Sequence, residues 1–286
     1  MSGTDAPGFG VALAAARAQF GPLCVGIDPH PGLLAGAGLS DDADGVAAFA
    51  DRMVEAVAGK VTAVKPQSAF FERHGAAGIA VLERLLRDLA DAGTLTVLDV
   101  KRGDIGSTMA AYAQAYLRPG APLCADAVTL SPFLGFESLR PALDLAAEHA
   151  RGVFVLALTS NIEGASVQHR GRPSVAEHVI SSVAQTNEVS TGSAPGNVGV
   201  VIGASAGPAL DTLSLRRILS RSTMPVLAPG VGAQGATSAD VAHSLRGCAD
   251  RVLTPVSRGV LTSGSEVQAI AARCLELREE LSAALD

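Results

Sequence analysis

The residues best suited to chemistry are Asp99, Lys101 and Asp104, set in the stretch Thr96-Val97-Leu98-Asp99-Val100-Lys101-Arg102-Gly103-Asp104-Ile105-Gly106-Ser107-Thr108. Leu95, Val97, Leu98 and Val100 form a β-rich apolar run, and a strand alternates its side chains with period 2. Asp99 and Lys101 are two apart, so they leave the same face. Burying charge is costly unless it is paired. A carboxylate beside an ammonium at the end of an apolar strand is therefore either a plain salt bridge or a site. Asp104 follows just beyond Gly103, where the chain turns, and this places two acids around one lysine. Neighbouring acids keep an ammonium charged and fix its direction.

The elements that must position these groups recur as strand, then helix. An Ala-rich helix opens the pattern at Phe9–Phe20. Apolar strand runs follow at 23–27, 61–64, 95–100, 125–130, 153–158, 198–202, 225–228 and 251–255. Helices are expected at 44–59, with Asp44 as N-cap, at a stripe from Ile79 to Leu89, and at 106–117, 136–150, 207–222, 238–245 and 265–285. A further helix starts at Ser174, after a polar loop that runs to about Arg172. Thr186 to Asn197, rich in Ser, Thr, Gly and Pro, reads as a surface loop. Eight strands alternating with helices match an α/β fold of the (β/α)8 TIM-barrel type; an open doubly wound sheet is the alternative. The chain reads as a single barrel domain, residues 1–286, with 1–20 as an N-terminal helical extension.

In such a barrel the chemistry sits where the strands end. Asp28, Lys65, Asp99, Lys101, Ser160, Gln234 and Arg258 each fall at or just after the end of an apolar run. The loops after strands seven and eight commonly hold a phosphate. Here they read Pro229-Gly230-Val231-Gly232-Ala233-Gln234-Gly235 and Ser257-Arg258-Gly259-Val260. Glycines let the backbone approach an anion closely. Arg258 can grip it with two donors, and Gln234 can add an amide. Gly230-x-Gly232-x-x-Gly235 also fits a dinucleotide fingerprint. It lies in the seventh repeat, however, and strand eight ends in Thr254-Pro255 rather than in an acid. Plain tight turns are the remaining reading. Asp126 is open between a site residue and a structural ion-pair partner.

Composition narrows the class. With hydrophobic residues at 48% and charged residues at 17%, a large core is expected and disorder is not. Aromatics are scarce and Trp is absent, so that core must be built from Ala, Val, Leu and Ile. A net charge of −6, with no basic run, argues against nucleic acid. Cys24, Cys124, Cys248 and Cys274 are far apart and read as free thiols of a cytoplasmic protein. No signal peptide is visible, and no apolar run reaches the ~18 residues of a membrane span. The histidines lack metal-ligand spacing, and there is no nucleophile elbow or Walker loop.

The core Asp-x-Lys-Arg-x-Asp-Ile-x-x-Thr resembles the signature of the orotidine 5′-phosphate decarboxylase family. The resemblance extends in order over Asp28, Lys65, the segment Thr129-Leu130-Ser131-Pro132-Phe133-Leu134-Gly135, the Pro-Gly-Val-Gly-Ala-Gln-Gly loop and Arg258. Val-Lys-Pro-Gln around Lys65 and the long loop after strand five look like the longer, mycobacterial-type branch. The resemblance implies conversion of orotidine 5′-phosphate to UMP and CO₂ with no cofactor and no metal. It implies that Asp28 and Lys65 hold the ribose hydroxyls, and that Asp99, Lys101 and Asp104 surround C6. Ser160 would contact the pyrimidine, while Gln234, Arg258 and the glycines 230, 232, 235 and 259 would hold the phosphate. It further implies a homodimer in which Asp104 and Thr108 reach the neighbouring site. Three rivals stand beside it: a Mg²⁺-dependent decarboxylase or aldolase of sugar-acid or ketose phosphates on the same frame, a nicotinamide-dependent oxidoreductase using the seventh-strand glycines, and a phosphate-binding barrel without activity, against which the complete Asp-Lys-Asp set argues.

Overall fold

Eight parallel strands close into a barrel in sequence order. They are β1 (Leu23–Ile27), β2 (Ala63–Pro66), β3 (Leu95–Arg102), β4 (Ala127–Leu130), β5 (Gly152–Leu158), β6 (Val198–Ile202), β7 (Val226–Leu227) and β8 (Val252–Val256). β8 pairs back onto β1, with Leu23 opposite Thr254. This computed structural model describes residues 7–232 and 235–285. Closure leaves no sheet edge exposed, and helices cover the outer face.

Period-2 alternation sorts each strand into two sets of side chains. Leu23, Val25 and Ile27 belong to the outer core shared with the helices. Cys24, Ala63, Val97, Ala127, Phe154, Val201, Leu227 and Leu253 form a second buried cluster inside the barrel. The N-terminal helix Phe9–Phe20 closes the lower end of that interior. Its Phe9 and Leu13 join the inner cluster, and Phe9 meets Phe154 edge to face at a ring distance of 6.0 Å, a favoured aromatic arrangement. The room for Phe154 comes from β6: a Cβ on Gly199 would lie 2.6 Å from its ring. Apolar side chains thus fill the barrel floor, and polar groups are left for the opposite rim.

Several boundaries differ from those the sequence suggests. The helix expected at 44–59 is Ala43–Val57, and its N-cap is Asp42, whose carboxylate accepts from the Gly45 N–H at 2.8 Å; Asp44 lies within the first turn. The helix Val175–Ser190 runs through the stretch expected as loop from Thr186. Buried Asn187 holds it: its amide donates to the Val198 carbonyl (2.7 Å) and accepts from the Val198 N–H (3.1 Å), joining the helix end to β6. The Thr186 and Ser190 hydroxyls bond back to carbonyls four residues earlier, so they do not break it. The expected helix at 207–222 is two, Gly207–Thr212 and Arg216–Arg221, separated by Ser214 in a left-handed conformation (φ 57°). The loop after β5 carries short helical turns at Ile162–Gly164 and Ala165–Gln168. Short helices at Pro31–Gly36 and Ala69–Glu72 show no apolar periodicity long enough to announce them. Among the described residues no helix is long and apolar enough to cross a membrane.

Candidate active site

A cavity of about 580 Å³ opens at the carboxyl ends of the strands. Its floor is the next inward step of each strand above the apolar layer. Ala63 is followed by Lys65, Val97 by Asp99, and Ala127 by Thr129. Asp28, Lys65, Asp99, Lys101, Ser160, Gly230 and Arg258 line it, as expected. Thr129 and Gln67 line it too. The sequence reading assigned them no role, although each lies on the inward period-2 register that was available to find them.

Asp99 is the hub. Its Oδ2 receives Lys65 Nζ at 3.0 Å and Gln67 Nε2 at 2.9 Å. Its Oδ1 receives Lys101 Nζ at 2.6 Å and the Thr129 hydroxyl at 2.8 Å. Burial alone would push this carboxyl up, but Lys65, Lys101 and the hydrogen bonds outweigh it and hold Asp99 well below the usual carboxylate range. Lys65 shows the mirror case. Burial favours its neutral form, yet Asp99 and Asp28 overcome that and hold it above the ordinary lysine value. Asp99 and Lys65 are buried, whereas the Lys101 side chain is 46% exposed at the cavity mouth. The array therefore presents one fixed, reachable ammonium on a rigid, fully satisfied base.

Lys101 reaches this position through an irregular strand end. β3 pairs with β4 at Leu98 opposite Val128 and again only at Arg102 opposite Leu130. Two extra residues are taken up between these points, as in a bulge. Lys101 itself is left-handed, with φ 45°, and its N–H donates to the Thr129 hydroxyl at 3.0 Å. Simple alternation is thus only part of why Asp99 and Lys101 meet.

Asp28 carries a buried Oδ1 without a hydrogen-bond partner. Such an atom is costly unless a ligand satisfies it, and it lies on the cavity wall. Arg258 begins a short 3₁₀ turn, Arg258–Leu261, which contains Gly259. Of the glycines, Gly230 lines the cavity, while Gly232, Gly235 and Gly259 do not. The N–H of Gly232 goes to the Ala236 carbonyl (2.8 Å), and that of Gly235 goes to the Gly232 carbonyl (2.9 Å). Left-handed φ values of 74° and 84° explain the need for glycine at these two positions. Gln234 lies outside the described residues.

Asp104 and Thr108 do not line the cavity. Asp104 accepts from the Ile105 N–H at 2.8 Å, and Thr108 is exposed in the first turn of the helix Gly106–Leu117. Beside them, Ile105 is 61% exposed, and Phe133 in the next rim loop is 80% exposed. Asp126 resolves to the structural alternative. It precedes β4 at the opposite end of the barrel, pairs with Arg151 at 2.5 Å and accepts from the Thr96 N–H at 2.9 Å. The four cysteines are free thiols, three of them buried. Among the described residues no three His, Cys, Asp or Glu side chains group to hold a metal ion.

A family model described as the orotidine 5′-phosphate decarboxylase / HUMPS family matches residues 21–273. A curated relative from Salinispora arenicola, an orotidine 5′-phosphate decarboxylase, is 51% identical over 97% of this chain and 98% of its own length. A solved chain from Streptomyces avermitilis, 48% identical, superposes with a TM-score of 0.92, covering 100% of this chain and 98% of that one. The Leishmania donovani OMP decarboxylase is 32% identical with a TM-score of 0.77, covering 97% and 99% respectively.

Proposed function

The chain belongs to the orotidine 5′-phosphate decarboxylase / HUMPS family, and on that premise we propose how the barrel mouth carries out the reaction. The reaction itself is the decarboxylation of orotidine 5′-phosphate to UMP, the last step of de novo pyrimidine synthesis. Loss of CO₂ leaves a carbanion at C6 that the pyrimidine ring cannot delocalise well. The observation that carries the mechanism is Lys101, an ammonium fixed at 2.6 Å on Asp99 and exposed to the cavity. A preorganised cation aimed at developing negative charge is the largest kind of catalytic term. Lys101 stabilises the carbanion and then delivers its proton to C6. Asp99 holds the Lys101 ammonium in place and directs it, and no cofactor takes part.

The other roles follow from position. Asp28, with its unsatisfied buried oxygen, and Lys65 beside it hold the ribose hydroxyls. Ser160 meets the pyrimidine. Arg258, on the cavity wall, holds the phosphate, with the glycine turns after β7 and β8 letting the backbone come near; Gln234, outside the described residues, is added on the family resemblance alone. The phosphate lies far from the reacting C6, and its contacts hold substrate alike in the ground and the transition state. Arg258→Ala should therefore act mainly on KM, raising it by at least tenfold. A steady-state titration with orotidine 5′-phosphate that returned an unchanged KM would remove Arg258 from the site.

Asp104 and Thr108 serve the cavity of a second copy. The support is their placement outside their own cavity, on a rim flanked by exposed Ile105 and Phe133. A homodimer then completes each site. Mixing subunits of Lys101→Ala with subunits of Asp104→Ala, each poorly active alone, should restore about a quarter of wild-type activity: after random exchange about half the dimers are hybrid, each with one intact site. No restoration after demonstrated subunit exchange would show that each chain uses its own Asp104. A cytoplasmic location suits the free thiols.

The metal-dependent reading fits the same frame less well. Both oxygens of Asp99 are already engaged by two ammonium groups, an amide and a hydroxyl, a setting that repels a divalent cation.

A further inference from the structure

Lys101 has a backbone conformation that side-chain-bearing residues seldom adopt, in the part of β3 where the ladder to β4 is interrupted. On the β4 side no ladder hydrogen bond holds this segment, and on the β2 side one isolated parallel bridge joins Gln67 to Asp99, so side-chain groups must add to it. Thr129 supplies one tie from inside the barrel, to the Lys101 N–H. The remaining ties come from outside it. The Ser68 N–H donates to the Asp99 carbonyl at 3.2 Å. The Ser68 hydroxyl donates to Glu72 Oε1 at 2.5 Å. Arg102 Nη2 donates to that same Glu72 oxygen at 2.6 Å, and its Nη1 donates to the Val100 carbonyl at 3.3 Å. The ring thus runs from Asp99 through Ser68, Glu72 and Arg102 back to Val100.

We propose that Ser68, Glu72 and Arg102 form a polar brace behind β3 that positions Lys101 for proton delivery. None of the three lines the cavity, so they are positioning residues, acting through Lys101. The proposal rests on the catalytic role given to Lys101 above. The brace grips the peptide carbonyls of the two residues immediately before Lys101, and these carbonyls set where its chain departs from the strand. Arg102 is itself held: its guanidinium lies over the Tyr112 ring, 5.8 Å from the centroid, a cation–π contact, and its own carbonyl accepts from the Ser131 N–H at 2.7 Å. Tyr112 belongs to the helix Gly106–Leu117 that carries Thr108. The brace therefore also links the strand end to the rim proposed to serve a second subunit. Lysine at position 102 would keep the charge but could not reach Glu72 and the Val100 carbonyl together, since it lacks the planar fork.

The test is steady-state kinetics on Arg102→Met, Arg102→Lys, Glu72→Gln and the Glu72→Gln/Arg102→Met double variant, with thermal midpoints measured alongside. A misaimed Lys101 lowers kcat and leaves substrate binding at the far rim alone. Arg102→Met should lose at least tenfold in kcat with KM within twofold of wild type, Arg102→Lys should fall between, and Glu72→Gln should lose three- to tenfold. The double variant should be no worse than Arg102→Met, because both changes open one ring. A folded Arg102→Met with kcat within twofold of wild type would overturn the proposal, as would losses that multiply in the double variant or a KM that rises as kcat falls. If Arg102→Met does not fold, Glu72→Gln decides alone, and an unchanged kcat there counts against the brace. Lys101→Ala, run beside them, separates the two levels: near wild-type turnover in that variant would sink the role of Lys101 itself, whereas its inactivity with an active Arg102→Met sinks only the brace.

Discussion

Lys101→Ala should lower turnover by at least ~10³-fold, the scale for removing a key preorganised electrostatic donor. The variant removes the ammonium to which both stabilisation of the C6 carbanion and proton delivery are assigned under the proposed function. KM should change far less, because the ribose and phosphate contacts are assigned to Asp28, Lys65 and Arg258. The fold should survive: the Lys101 side chain is nearly half exposed, and Asp99 keeps Lys65, Gln67 and Thr129 as partners. Circular dichroism and kcat measured on the same preparation check this. Retained activity within about tenfold, only ~1.4 kcal/mol of barrier, would remove Lys101 from its place at the centre of the site.

The second large effect is on stability. Asp99→Ala should cost about 3–5 kcal/mol of folding free energy, the range for breaking a buried ion pair by deleting one partner. Lys65 is left behind, buried, with only Asp28 as a neighbouring anion. Activity should be lost as well, since Lys101 loses its anchor. Urea unfolding of wild type and variant reads the difference, and a deficit below about 1 kcal/mol, the worth of an exposed pair, would contradict it. The pH window follows from the directions of the shifts. Asp99 is depressed in the folded state, so its contribution is present above the ordinary carboxylate value of about 3.9 and fades as pH falls through its lower folded value. Lys65 is raised, so its contribution is complete below about 10.4 and fades only as pH rises past its higher folded value. The deficit should therefore stay level from about pH 5 to pH 9 in the part that these two groups supply.

The barrel was legible because most strands are apolar on both faces and several end in polar groups. Leu23–Ile27 and Gly152–Leu158 show this best. The inward register was legible for the same reason: Lys65 and Asp99 stand two residues above Ala63 and Val97, and the cavity floor lies there. Helix ends were harder. Asp42 and Asp44 are equally good caps by residue type, and only the extended backbone at Asp42 decides between them. The Thr186–Ser190 stretch looks like loop by composition, but long-range bonds from Asn187 to β6 override local propensity. The left-handed Lys101 and the two-residue slip beside it leave no mark in a single sequence, because they depend on how β3 meets β4. For Asp104 and Thr108, the motif spacing that marked them cannot show whose cavity they serve.

Under the proposed function this barrel mouth decarboxylates orotidine 5′-phosphate through Lys101 without a metal. The most direct measurement is the ultraviolet decay of orotidine 5′-phosphate with the wild-type protein after exhaustive treatment with EDTA, with UMP identified as the product. Rapid, complete decay at a rate unaffected by EDTA or added Mg²⁺ is the predicted result. A folded protein that is inert in EDTA and active only when Mg²⁺ is returned would contradict it, because the ammonium held on Asp99 would then not suffice to stabilise the carbanion.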